Sequence, residues 1–145
     1  MLPSGILGVP LLEAAQTPGV REVMNQMSRE AYALAADLSI SFLPTLGISP
    51  GDVPNSDQYA IDLLDVILAS YSRAGTRVAV LQDWEKGRRA EIDAFSGYIV
   101  AKRRELGGDA PVNRAVVDIS RRIEATELVP SPNNRQLLLD ALGKS

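Results

Sequence analysis

Residues 79–116 read AVLQDWEKGRRAEIDAFSGYIVAKRRELGGDAPVNRAV, and their punctuation sets the architecture. Ala79 to Glu85 predicts a short helix, Gly87 stops it, and a longer helix is expected to begin near Ala90. On that longer helix Ile92, Phe95, Ile99 and Val100 share one side, the expected buried face. Lys102, Arg103 and Arg104 come late, where a helix C-terminus favours cations. Ser96-Gly97 is a small pair that would let another backbone approach. After the GGD turn, Pro111 opens a further helix with Val112, Val116, Ile119 and Ile123 on one side. Apart from a weak VAVL at 78–81, nothing alternates as a strand would.

The pattern extends in both directions. Thr17-Pro18 is the expected N-cap and first turn of a long amphipathic helix, with Val20, Val23, Met24, Met27, Ala31, Leu34, Ala35 and Leu38 at three- and four-residue steps. Arg21, Glu22, Gln26, Arg29 and Glu30 form its expected solvated side. The stretch LPTLGISPGDVPNS at 43–56 holds three prolines and two glycines and reads as a loop. Asn55 or Ser56 then caps a helix through Ile61, Leu64, Leu68 and Tyr71, with Leu63 and Ile67 widening its stripe. Beyond PSP at 130–132, a last helix runs through Leu138 and Leu142. The expectation is an all-α helical bundle of five or six helices, a single domain over residues 1–145.

Composition removes several functional classes. With no Cys and no His, the chain has no disulfide, no thiolate or imidazole metal site, and neither common nucleophile–base pair. A net charge of −3 gives no general attraction to phosphate backbones or anionic lipid, and the basic clusters at 86–89 and 102–104 are interleaved with acids. No nucleic acid and no membrane are therefore expected as partners. The opening MLPSGILGVPLLEAA lacks a basic leader and is broken by Pro3 and Pro10, so it reads as neither a secretory signal nor a spanning helix, and a cytoplasmic protein is expected.

Chemistry must therefore rest on carboxylates, amines or a bound cofactor. No glycine-rich phosphate loop is present. Asp62 and Asp65, three apart on a helix, read as an exposed edge rather than an oxygen-only metal site, and no metal is expected. Asp83 and Glu91 flank the Gly87 bend. Each has a structural reading, an ion pair to Arg88 or Arg89 for Asp83 and a helix cap for Glu91, that the residues alone leave open.

The same run resembles the 2-dehydropantoate 2-reductase, or ketopantoate reductase, family. The likeness lies in LQD at 81–83, EID at 91–93, SG at 96–97 and PVN at 111–113, in order and at family spacing, with LPSGIL at 2–7 as a weaker match. It implies a fold like the helical C-terminal domain of ketopantoate reductase and 6-phosphogluconate dehydrogenase-like proteins. It further implies a share in an NADPH-dependent reduction of a 2-keto acid to a 2-hydroxy acid, with an N-terminal Rossmann domain holding the cofactor and the helical domain closing over it to form the substrate cleft. By this resemblance Glu91 is the cofactor-binding acid near the nicotinamide ribose. Asp83 lines the substrate side, and Ser4 falls where the family often has a substrate-touching Asn.

Where the family has Ser before its M-L-Q-D, this chain has Ala79, and Ser96 replaces the family's Asn. The family's general-acid Lys belongs to a helix expected upstream of Met1, so this chain contributes no catalytic residue of its own. Lys86, Lys102 and Lys144 stand elsewhere. The expected partners are a small 2-keto acid together with a Rossmann domain, and a second copy in a homodimer. The alternative is a non-enzymatic helical dimerisation or protein-interaction module on the same scaffold.

Overall fold

The computed structural model describes residues 1–53 and 55–143, with Ser56 described in its backbone only. Lys144 lies outside the described residues. Among the described residues eight α-helices follow one another: α1 (Leu2–Leu7), α2 (Leu11–Gln16), α3 (Val20–Asp37), α4 (Ser56–Val66), α5 (Ala79–Glu85), α6 (Tyr98–Glu105), α7 (Pro111–Glu124) and α8 (Arg135–Leu142). Among the described residues there is no strand, and VAVL runs into α5. No helix is long and apolar enough to cross a membrane among the described residues.

The helix count exceeds the expected five or six because the first sixteen residues form two short helices. Every residue of α1 is buried. A segment enclosed on all sides shows no amphipathic period, so its helix leaves no stripe to read. Thr17 caps the end of α2 rather than the start of α3, its hydroxyl donating to the Glu13 carbonyl at 2.9 Å. The α3 N-cap is Gly19.

The core is one cluster in which Ile6 and Leu7 of α1, Val20 and Val23 of α3, Val112 and Val116 of α7 and Leu138 of α8 are essentially inaccessible. Asn55 caps α4 as expected, its side chain accepting from Gln58 N at 2.9 Å. Asp62 accepts from Gln58, and Asp65 pairs with Arg21 at 2.6 Å, fastening α4 to α3. The loop between them is held by Tyr59, whose hydroxyl donates to the Leu43 carbonyl at 2.8 Å and whose ring packs on Tyr32 and Phe42.

Glu30 departs from its expected solvated side. It is 6% exposed, and its carboxylate accepts from Val112 N at 2.9 Å, Asn113 N at 2.8 Å and Asn113 Nδ2 at 2.8 Å. The first turn of α7 has free N–H groups that its own N-cap, Ala110, cannot satisfy. A carboxylate from α3 satisfies them and meets the positive end of the α7 dipole. The PVN of residues 111–113 is thus the docking point of α7 on α3.

Phe95 also departs from expectation. It is 66% exposed, whereas Ser96 is 6% exposed. The cause is a π-helical turn over Asp93–Gly97, in which Gly97 N bonds to the Ile92 carbonyl five residues back. The wider turn shifts the register by one residue relative to an α-helix, carrying Ser96 inward and Phe95 out. Ile92 remains buried; Ile99 and Val100 are only half-buried. The space at Gly97 is taken by Asp93 and Ile92 of its own turn rather than by another backbone.

The close backbone approach is at Gly5 instead. A Cβ there would lie 2.6 Å from Val80 Cγ1 and 3.2 Å from Trp84 Cζ3. Gly5→Ala gains roughly 0.4–1 kcal/mol from reduced unfolded-state freedom. It loses about 1–3 kcal/mol to overpacking against a stiff valine. A net loss of about 1 kcal/mol is expected by chemical denaturation, recovered in the Gly5→Ala/Val80→Ala pair.

Candidate functional site

The bend between α5 and the π turn is built by the residues between Asp83 and Glu91. Helix α5 ends in a paired hydrogen-bond closure: Arg88 N donates to the Asp83 carbonyl at 2.8 Å and Gly87 N to the Trp84 carbonyl at 3.0 Å. Gly87 sits at φ 66, the left-handed conformation this closure needs. The chain then runs without regular structure from Arg88 to Ala90 and re-enters helix at Asp93. The two acids therefore approach from opposite ends of a turn.

They share a groove of about 300 Å³. Val78 at the N-cap of α5, Ala79 and Val80 in its first turn, and Ala90, Ile92 and Phe95 after the bend make it largely apolar. Met1 and Leu2, which sequence reasoning did not place here, complete the wall. Its charged side chains are Asp83 and Glu91, with Ser96 the remaining polar side chain, and neither Lys nor Arg lines it.

Neither carboxylate has a hydrogen-bond or ion-pair partner among the described residues, although nine ion pairs form elsewhere. Asp83 does not pair with Arg88 or Arg89, and Glu91 does not cap a helix. Arg88 and Arg89 instead face a separate depression with Trp84, Leu128 and Pro130. Two uncompensated acids beside an apolar wall form a set of strong acceptors open to hydroxyl or amine donors.

Ser4 is not brought to this groove. It is fully buried in α1, and its hydroxyl donates to the Val9 carbonyl at 2.7 Å, closing the turn between α1 and α2. Neither Lys86 nor Lys102 lines the groove. Lys102 bonds Glu105 at 2.6 Å, and that carboxylate holds the ammonium above its ordinary value, the opposite of what a proton donor near neutral pH requires.

A third acid, missed by the sequence reading, bonds to both sides of the bend. Glu124, at the end of α7, has a side chain 12% exposed. Its Oε1 accepts from Trp84 Nε1 at 3.3 Å and from Ala90 N at 2.8 Å.

A family model described as the ketopantoate reductase PanE/ApbA C-terminal domain matches residues 3–124. A 2-dehydropantoate 2-reductase of Archaeoglobus fulgidus is 40% identical over 52 residues, 36% of this chain and 18% of that protein. The crystal structure of a PanE/ApbA family ketopantoate reductase from Ralstonia eutropha JMP134 superposes with a TM-score of 0.67 at 25% identity, covering 87% of this chain and 37% of that one. The chain thus aligns with well under half the length of either relative.

Proposed function

The chain belongs to the ketopantoate reductase C-terminal domain family, matched over residues 3–124, and on that premise we propose that it forms the substrate-side wall of an NADPH-dependent 2-keto acid reductase. The observation that carries this reading is the shared groove, where Asp83 and Glu91 face one apolar hollow with both carboxylates unpaired.

The residues fit one end of a nicotinamide cofactor and not the other. Glu91 is a free acceptor suited to ribose hydroxyls, whereas a groove without Lys or Arg in its lining offers no cationic side chain to a pyrophosphate. The phosphates therefore belong to a facing dinucleotide-binding domain. When bound, the reduced nicotinamide supplies hydride. Asp83 accepts a hydrogen bond from a hydroxyl group on the substrate's branch, and the wall of Val78, Val80, Ile92 and Phe95 excludes water from the reacting carbon.

A 2-keto acid brings its own carboxylate, which Asp83 and Glu91 repel. Its counter-cation, and the lysine that protonates the developing alkoxide, come from the facing domain. Ala79 offers no hydroxyl, so the substrate presents an apolar branch to that part of the wall. The proposed setting is the cytoplasm.

The test joins this chain to a family dinucleotide-binding domain carrying the lysine and follows NADPH consumption with a panel of 2-keto acids. Turnover well above that of the dinucleotide-binding domain alone is expected, fastest with branched substrates that pair an apolar branch with a hydroxyl group. A folded joined protein that consumes no NADPH with any of them would overturn the reductase reading and leave a helical interaction module.

A further inference from the structure

Glu124 sits at one point where both sides of the bend can be held. Trp84 directly follows Asp83, and Ala90 directly precedes Glu91. A single oxygen of Glu124 accepts from the Trp84 indole N–H and the Ala90 backbone N–H, spanning 40 and 34 residues of sequence. We propose that Glu124 is a positioning residue that sets the separation of Asp83 and Glu91 across the groove; this rests on the reductase reading of that groove.

Three observations carry it. First, Glu124 does not line the groove, so its effect there passes through the backbone of the bend. Second, its carboxylate is nearly enclosed, and bonds from N–H donors to an ionised acceptor are stronger than neutral ones where water is excluded. Arg89 adds little: its Nε is 3.8 Å away and its side chain is 91% exposed. Third, the two elements that Glu124 joins have different supports. Helix α5 is already seated on α1 through the contact of Gly5 with Val80 and Trp84. The Arg88–Ala90 segment has no regular structure, and Ala90 N has Glu124 as its acceptor. Without the carboxylate, Asp83 stays where α1 holds it and Glu91 moves.

A positional error of about 1 Å in a reacting assembly costs on the order of 10²-fold in rate. The test uses Glu124→Ala and Glu124→Gln in two measurements. In the full chain, amide hydrogen exchange at Ala90 and at the Trp84 indole is expected to quicken by roughly tenfold or more in Glu124→Ala, while Val116 in the core stays protected. Glu124→Gln, which keeps one acceptor oxygen, is expected to recover part of that protection. Should the alanine variant not fold, the glutamine variant is read alone, with a smaller change at the same two sites.

In the joined reductase, Glu124→Ala is expected to lower kcat/KM by about 10²-fold. Ile119→Val, a core change on the same helix, should leave kcat/KM unchanged. Unaltered exchange at Ala90 and Trp84 overturns the proposal, as does quickened exchange with parental kcat/KM. If the parent joined protein itself shows no turnover, the reductase reading fails. Exchange then decides separately whether Glu124 holds the bend.

Discussion

Glu30→Ala is expected to cost the bundle about 3–5 kcal/mol, since it removes the acceptor of three buried N–H donors of α7 and leaves the Val112 and Asn113 backbone N–H groups without a partner, while Asn113 Nδ2 keeps the Met27 carbonyl at 3.0 Å. The same substitution at an exposed position of α3 would cost a few tenths at most. Burial decides the difference, because water cannot replace the lost acceptor without opening the seam between α3 and α7. A domain of this size has about 5–15 kcal/mol of stability in all, so the variant stands near the edge of folding. Its melting midpoint should fall by roughly 10–20 °C. Glu30→Gln keeps one oxygen but turns an NH₂ toward other donors, and an intermediate loss is expected. Parental stability in Glu30→Ala would show that α7 is anchored by apolar contacts alone.

The second large effect concerns function. Glu91→Ala in the joined reductase is expected to lower kcat/KM by about 10²–10³-fold, the usual range for removing a pre-placed polar group from a reacting site. Stability should hardly change, because Glu91 is exposed and unpaired. That combination separates a role in ligand binding from a role in folding. Capping carboxylates behave in the reverse sense, losing stability with little change in turnover.

The fold was legible where helices show one face to solvent. Helices α3, α4 and α7 carry clear stripes, and the bounds expected for α5 match the observed ones because Gly87 marks its close. Helices α1 and α2 were missed for the opposite reason. Six residues each, and in α1 buried throughout, they give neither length nor period. The misplaced Phe95 has a geometric cause, since a three- and four-residue template cannot foresee a turn closed five residues back.

At the site, sequence spacing and family likeness placed Asp83 and Glu91 on either side of a bend, and both do line one groove. Ser4 was assigned by likeness alone and lies in the core. Glu30 was placed on the solvated side because charge was taken as a sign of exposure, and Glu124 was not singled out. Position held the better signal. Glu30 continues the stripe Val23, Met27 and Leu34, and Glu124 continues Asn113, Val117 and Ser120. An acid that continues a buried stripe must find donors there, and here both find the backbone of another segment.

The most direct measurement of the central claim is steady-state NADPH oxidation by the joined reductase carrying Asp83→Asn and Glu91→Gln together. These changes preserve shape and remove both charges from the groove. A collapse of kcat/KM with an unchanged melting midpoint is the predicted result. Parental kcat/KM in the doubly substituted protein would contradict a cleft built on those two carboxylates.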